Sequence, residues 1–505
     1  MKEGRRLLTQ YVRLFCIILF VMIATRAAAQ AQPAIDTAGI DRYLLEQMER
    51  NRIPGMAIAL IIDGETALVK GYGVDGFGQP ITEQTPFLVA SVSKSFTALA
   101  VMQLADAGQI DLDSPIGVYL PDFATRDPAH DDAMTVRHLL NMVSGLSDDG
   151  YAESPELQTL AERVQALRTA QPVAAPGSTW AYFNPNYAVL ARLVEVVSGQ
   201  DFADYLDNHI FTPLGMRNTS SLVLSTQAET LPTPARGHIM VFGMRVAMPE
   251  SPGNLAGDGG IVTTAEDMTH YLTMYLNGGS LRDNALVTSA SIELMHSPTG
   301  DDFYGMGWYI ADPQRQPLMV EHGGDLATFH ADMVLLPEQR SGFVVMYNFN
   351  YFPFMASGFP SIKEGVIALM TDGSPPDYLS LSNFGLALGT AALVSLVLPV
   401  RNLLSTQKWA GKMLQRPVLL RAMGLILPLI PLAMLAFLPT LVLLLVRRAI
   451  DRTYLFMAMP ELTLWLGVAA FIGLATVVLR AFALYRQRRS VTQSDTSRLR
   501  ALPRT

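Results

Sequence analysis

Apolar positions change their spacing along this chain, and the changes divide it. Residues 14–25 form one short unbroken apolar stretch. Beyond them, β-rich runs alternate with longer helical ones. Residues 56–62, the pair Asp63-Gly64 and residues 66–70 predict one hairpin, and residues 333–336 with 343–347 predict another. Strands therefore flank this block at both ends. Between them, Leu190, Leu193, Val194 and Val197 fall on one face of a helix over 187–198 that Gly199 stops. Residues 91–107 are apolar almost all round and closed by Gly108, which predicts a buried helix. Loops rich in Pro, Gly and Asp separate these elements, as at 111–121 and 172–178. The pattern predicts an α/β (α+β) domain whose sheet is built from both ends of the block, with a helical region inserted.

Three further apolar runs, at about 381–400, 423–446 and 455–479, approach the roughly 20 residues needed to cross a bilayer core. The second contains Pro428, Pro431 and Pro439, which break a soluble helix but are tolerated where neighbouring helices satisfy the freed carbonyls. Arg401, Lys408, Lys412, Arg416 and Arg421 follow the first run. Arg480, Arg486, Arg488, Arg489, Arg498, Arg500 and Arg504 follow the third. Both basic segments are expected in the cytoplasm, with residue 380 outside. Arg447, Arg448 and Arg452 dissent, because their loop would face outward.

Charge sharpens the division. Of 505 residues only 16% are charged, against roughly 25% for an average soluble domain. Residues 375–505 carry 15 Lys+Arg and 4 Asp+Glu, residues 1–29 carry 5 and 1, and residues 30–374 carry 17 against 40. A uniform soluble protein is excluded, and so is a membrane protein along the whole length. A nucleic-acid partner is also unexpected, since the acidic block repels phosphate. Lys2, Arg5, Arg6 and Arg13 precede the first apolar stretch, and Ala27, Ala28 and Ala29 follow it, which is the order of a secretory signal. Twelve apolar residues are too few to span a bilayer, so cleavage near Ala29 is expected, removing the only cysteine, Cys16. The expected organisation is a signal peptide over 1–29, an exported domain over 30–374, and a membrane domain over 375–505 with a basic cytoplasmic tail.

Candidate chemistry lies in the acidic block. Ser91 and Lys94 stand three residues apart at the start of the buried helix, so both side chains share one face. Ser91 then sits at the positive helix end, where amides can hold an oxyanion, and burial favours a neutral Lys94 able to accept the serine proton. The spacing is common by chance, and a surface serine beside a solvated lysine is its ordinary source. Two neighbours add weight. Tyr182 and Asn184, one position apart after the Pro176-Gly177 turn, suit a proton shuttle and a donor to a substrate amide, although a lone Tyr182 would read as a half-buried aromatic. His322-Gly323-Gly324 precedes a predicted strand; two glycines let substrate lie against the strand edge, and the Asp325 amide completes an oxyanion hole with that of Ser91.

In this order the three elements resemble the penicillin-recognising serine hydrolases: class C β-lactamases, D,D-peptidases and related esterases. Val136-Arg137-His138-Leu139-Leu140-Asn141 with Ser144-Gly145-Leu146, Pro213-Leu214-Gly215-Met216, and Gly259-Gly260 with Thr264-Ala265-Glu266-Asp267-Met268 are similar to further stretches of that family, over about residues 35–370. The resemblance implies a serine β-lactamase/transpeptidase-like domain with an antiparallel sheet. It implies that Ser91 is the acylated nucleophile, Lys94 its activating partner, Tyr182 the general base and acid, and Asn184 a substrate-amide contact. His322 falls where the family carries the lysine of its KTG motif, facing a substrate carboxylate. Histidine is largely neutral at pH 7, so efficient penicillin hydrolysis is not expected, and esterases and peptidases with His-x-Gly match better. The layout of signal, exported hydrolase and three terminal spans is similar to that of the membrane-anchored colibactin-maturation peptidases, which remove an acylated D-amino-acid cap. Leu88, three residues before Ser91, offers no group to read a polar cap side chain.

Asp111-Leu112-Asp113, Asp131-Asp132 and Asp148-Asp149 read as solvated loop acids, and His130, His138, His209, His238, His270, His296 and His330 as structural. No metal or cofactor is implied. The three methionines over 240–248 read as packing. The expected function is a membrane-anchored serine hydrolase that acts on a peptide, D-amino-acid-containing or acylated, or on an ester, outside the inner membrane, with the small substrate and the bilayer as its partners. The alternative is a non-catalytic ligand-binding receptor or envelope scaffold on the same fold.

Overall fold

The computed structural model describes residues 35–500 apart from 152, 155, 300–302, 312–316, 356, 372, 379–380 and 447–449. The signal-peptide expectation lies outside these residues, as do Arg447 and Arg448. Helix α1 (Thr37–Asn51) leads into β1 (Gly55–Ile62) and β2 (Glu65–Gly73). Asp63 and Gly64 turn between them with φ of 53° and 82°, the two left-handed conformations that a tight hairpin requires. Strands β3 (Tyr309–Ala311), β4 (Met319–Asp325), β5 (His330–Leu336) and β6 (Ser341–Tyr347) come from the far end of the block. The six form one antiparallel sheet in the order β3-β4-β5-β6-β1-β2. Pairing Met56 with Tyr347 brings the two ends of the domain together.

Strand β1 is an unbroken apolar run because both of its faces are covered. Ala57, Ala59 and Ile61 enter the core beneath the inserted helices. Met56, Ile58 and Leu60 enter a second core under α1 and α5 (Gly358–Met370). The alternation of β5 and β6 divides between the two cores in the same way. The inserted region contributes α2 (Ser93–Asp106), α3 (Pro185–Ser198) and α4 (Ala265–Leu276). Helix α2 is buried on every side, as its composition predicts, while Gly199 closes α3 at φ 70°.

Three segments beyond residue 380 are long and apolar enough to cross a membrane: Ala387–Leu404, Val418–Leu445 and Pro460–Ser490. The first lies in α6 (Leu381–Leu404), the second in α7 (Val418–Ile426) and α8 (Ile430–Val446), and the third in α9 (Pro460–Arg500). The run expected to start at 455 is broken. Arg452–Ala458 is a separate short helix, and Pro460 opens α9, where its missing N–H costs nothing. Trp465 donates to Ser395 at 2.7 Å, and Arg480 to the Gly424 carbonyl at 2.6 Å, tying the three helices together. The connection before α9 lies against the sheet domain. Met457 packs with Ile239 and Ala327, and the Phe242 N–H donates to Glu461 at 2.7 Å. The methionine-rich segment is a hairpin, Gly237–Val241 with Met244–Met248, and Met248 packs in that same cluster.

Candidate active site

The nucleophile candidate stands on a strained turn. Ala90 adopts φ 49°, left-handed and unfavourable for a residue with a Cβ, and a 3-10 turn over Ala90–Val92 precedes α2. Helical structure thus begins tighter than the α-helix expected from 91 onward. The turn runs straight into α2, so Ser91 and Lys94, three residues apart, lie on one face. Lys94 is wholly buried, and its Nζ donates to Ser91 Oγ at 3.0 Å and to the Asp258 carbonyl at 2.9 Å. That carbonyl belongs to a loop clamped on α2, where Thr97 donates to the Gly257 carbonyl at 2.6 Å and the Ile261 N–H to Ser93 Oγ at 3.0 Å.

Tyr182 comes from the chain leading into α3, and its ring centroid lies 5.0 Å from Lys94 Nζ. Tyr182 is stacked with Tyr309 of β3 at 6.4 Å and edge-on to Tyr304 at 6.4 Å. Asn184 lines the same cleft, and its Oδ1 is buried with no hydrogen-bond partner among the described residues, an acceptor available to a substrate N–H. Gly324 closes the arrangement from β4. A Cβ there would meet the Val89 carbonyl at 2.2 Å and the Ser91 nitrogen at 3.0 Å, so only glycine lets the strand end approach the nucleophile. Gly323 and Asp325 line the cleft alongside.

His322 is 1% exposed, and burial, aided by the neighbouring Lys94, pushes its pKa down to about 3. The ring is therefore neutral. Its Nδ1–H donates to the Gly323 carbonyl at 2.7 Å, and its Nε2 accepts from the Tyr304 hydroxyl at 3.2 Å. Both nitrogens serve the fold. His330, one strand away, is a contrasting case. Burial alone would lower its pKa, but Asp332 and Asp325 on either side outweigh this and raise it to about 9. Its nitrogens lie 2.7 Å from Asp325 and 3.0 Å from Asp332, which orients the Asp325 carboxylate at the cleft edge.

This pair predicts a pH effect. A raised histidine pKa stabilises the fold fully below the unfolded value of 6.5, and the gain disappears as pH rises through about 9. The gain is of order 3 kcal/mol at most. In detergent, the melting temperature of wild type should exceed that of His330→Gln at pH 6, and the gap should narrow steadily to pH 9.5. A gap independent of pH would exclude the ion pair.

The cleft holds about 610 Å³. Its wall includes residues that no motif flags. Glu250 accepts from the backbone amides of Ser251, Ala327 and Thr328, each at 2.9 Å, and from the Thr328 hydroxyl at 2.7 Å. Burial holds its pKa above the ordinary carboxylate range. It ties its own loop to the turn after β4, and its sequence sign is a lone acid between Pro249 and Pro252. Leu255, Leu326, Phe352 and Met355 add an apolar side, and Ile450, Asp451 and Tyr454 reach in from the connection before α9. Asp451 caps that short helix, accepting from the Thr453 and Tyr454 amides at 2.7 and 3.0 Å. Among the described residues lining the cleft there is no arginine or lysine; Lys94 lies beneath Ser91.

A serine held by a buried lysine, a tyrosine over both and a glycine strand edge opposite define a class of serine hydrolase. Residues 40–366 match the family model described as Beta-lactamase, and the chain belongs to that family. Penicillin-binding protein 4 of Amycolatopsis lactamdurans is 32% identical over 277 residues, covering 51% of this chain and 70% of that protein. Protein flp of Staphylococcus aureus (strain N315) is 26% identical over 321 residues, 62% of this chain. The chain spans 63% of that relative's length. The octameric penicillin-binding protein homologue from Pyrococcus abyssi superposes with a TM-score of 0.57 at 27% identity, covering 69% of this chain and 80% of its own.

Proposed function

We propose that the protein is a membrane-anchored serine hydrolase that works through an acyl-enzyme on a peptide or ester outside the cytoplasmic membrane. The observation that carries the reading is the buried Lys94 Nζ 3.0 Å from Ser91 Oγ, with Ser91 and Tyr182 lining one cleft. Ser91 Oγ attacks the substrate carbonyl while its proton passes to Lys94 or Tyr182. The oxyanion lies against the Ser91 and Asp325 amides. The bond to the leaving group breaks as that group takes the proton, and water then releases the acyl chain by the same route reversed.

The cleft chemistry supports a substrate without a carboxylate at the position penicillins present one. His322 is neutral, and the lining residues Glu250, Asp325 and Asp451 are acids. An ester, or an amide whose N–H meets Asn184 Oδ1, suits these groups. Residues 1–29 act as a removed signal, 30–374 as the exported hydrolase and 375–505 as the anchor. Contact of the residue 450–461 connection with the hydrolase domain supports a three-span topology with the basic segments on the opposite, cytoplasmic side. With Ile450 and Tyr454 in the cleft wall, the substrate meets the enzyme at the bilayer surface.

Full-length protein in detergent, incubated with a fluorophosphonate, should gain one adduct, mapped by peptide mass spectrometry to Ser91. Absence of the adduct, or an adduct elsewhere, would reject hydrolase chemistry in favour of ligand binding. Peptide, acylated peptide and nitrophenyl ester panels then separate peptidase from esterase.

A further inference from the structure

Arg163 is 1% exposed, yet no step of the proposed reaction uses it. It lies in the short helix Leu160–Ala166, which Thr159 and Glu162 cap reciprocally. Its guanidinium uses its donors on three partners. Nε and Nη2 hold the two carboxylate oxygens of Glu153 at 2.5 and 2.9 Å; Nη1 holds Asp258 Oδ1 at 2.7 Å and the Ala256 carbonyl at 2.8 Å. Asp258 therefore faces two ways. Its carboxylate rests on Arg163, and its carbonyl accepts from Lys94. Gly257 beside it is at φ 87°, with room for no Cβ: one would meet the Tyr187 carbonyl at 2.5 Å. This segment has little freedom other than what Arg163 and α2 allow.

Resting on the serine-hydrolase reading, we propose that Arg163 is a positioning residue for Lys94, acting through Asp258. A rigid planar fork gripping two carboxylates and a carbonyl fixes the 256–258 peptide units. They in turn aim Lys94 Nζ at Ser91. The fork also balances charge. Among the described residues the groups facing Lys94 include Ser91, Tyr182, Tyr187, His322 and the Asp258 carbonyl, and the Asp258 carboxylate lies behind that carbonyl on Arg163. Arg163 offsets that carboxylate, so its removal leaves negative charge behind the lysine and favours the protonated amine.

The test is the rate of fluorophosphonate labelling of full-length protein against pH, normalised to folded protein by thermal melting. Arg163→Met should slow labelling between about tenfold and about a hundredfold and move the acid limb of the profile up by about one pH unit. Asp258→Asn, which keeps the carbonyl but removes the charge, should move the limb down. Arg163→Lys should keep the wild-type limb while remaining slow. If Arg163→Met does not fold, the other two variants carry the test. Wild-type rates and limbs in the variants, or shifts of the same sign in Arg163→Met and Asp258→Asn, overturn the positioning role. A wild type that is not labelled at all overturns the hydrolase reading, and this inference with it.

Discussion

Replacing Lys94 by methionine should lower the rate of the proposed Ser91 acylation about a thousandfold or more, in a chain that is expected still to fold. Ser91 carries an ordinary alcohol, a weak nucleophile unless a base stands within hydrogen-bond reach. Lys94 Nζ is that group at 3.0 Å, and the side chain is fully buried. Methionine keeps most of the volume and the apolar stem and deletes the amine. The Asp258 carbonyl loses its lysine donor, which costs about 1–3 kcal/mol if water does not replace it, so a modest drop in melting temperature accompanies the kinetic loss. Stopped-flow labelling with a fluorophosphonate, alongside a thermal melt, separates the two effects. A folded Lys94→Met labelled within tenfold of wild type would remove the lysine from the mechanism.

Tyr182→Phe has the second-largest effect, a loss of about a hundredfold to ten-thousandfold that depends on the leaving group. Phenylalanine retains the stack on Tyr309 and the edge contact with Tyr304, so packing is preserved. The hydroxyl is what disappears. A nitrophenolate departs without a proton, whereas an amine requires one. The defect should therefore be far larger on an anilide or peptide than on a matched nitrophenyl ester. Equal defects on both would make Tyr182 a packing residue and assign proton delivery to Lys94.

Much of the domain was legible because its signals are local. The Asp63-Gly64 hairpin follows from two residues that tolerate positive φ, and the β1 run from a strand covered on both faces. Gly108 and Gly199 end their helices where the apolar period ends. Ser91, Lys94, Tyr182, Asn184, His322 and Gly323 were found by short motifs, and all but Lys94 line one cleft with Asp325. Hydropathy runs on through the break at Met459–Pro460, and only the proline marks it in the sequence. Glu250, Tyr304, Tyr309 and Arg163 carry no motif. Their roles depend on partners that the fold brings to them, as Arg163 finds in Asp258 and Glu250 in Thr328.

By itself, the sequence determined what depends on neighbours in the chain: which runs pair as hairpins, which helix buries its whole surface, where the apolar segments lie, and the one-turn spacing of Ser91 and Lys94. Only the tertiary structure decided the electrostatics. Two histidines eight residues apart illustrate why: His322 is neutral in an apolar, lysine-flanked pocket, while His330 is charged between two aspartates. Burial and opposite charge act through space, and folding sets both. The same holds for the cleft wall, where Ile450, Asp451 and Tyr454 join residues some 200 to 360 positions earlier, such as Glu250 and Ser91, because the connection before α9 docks on the sheet domain.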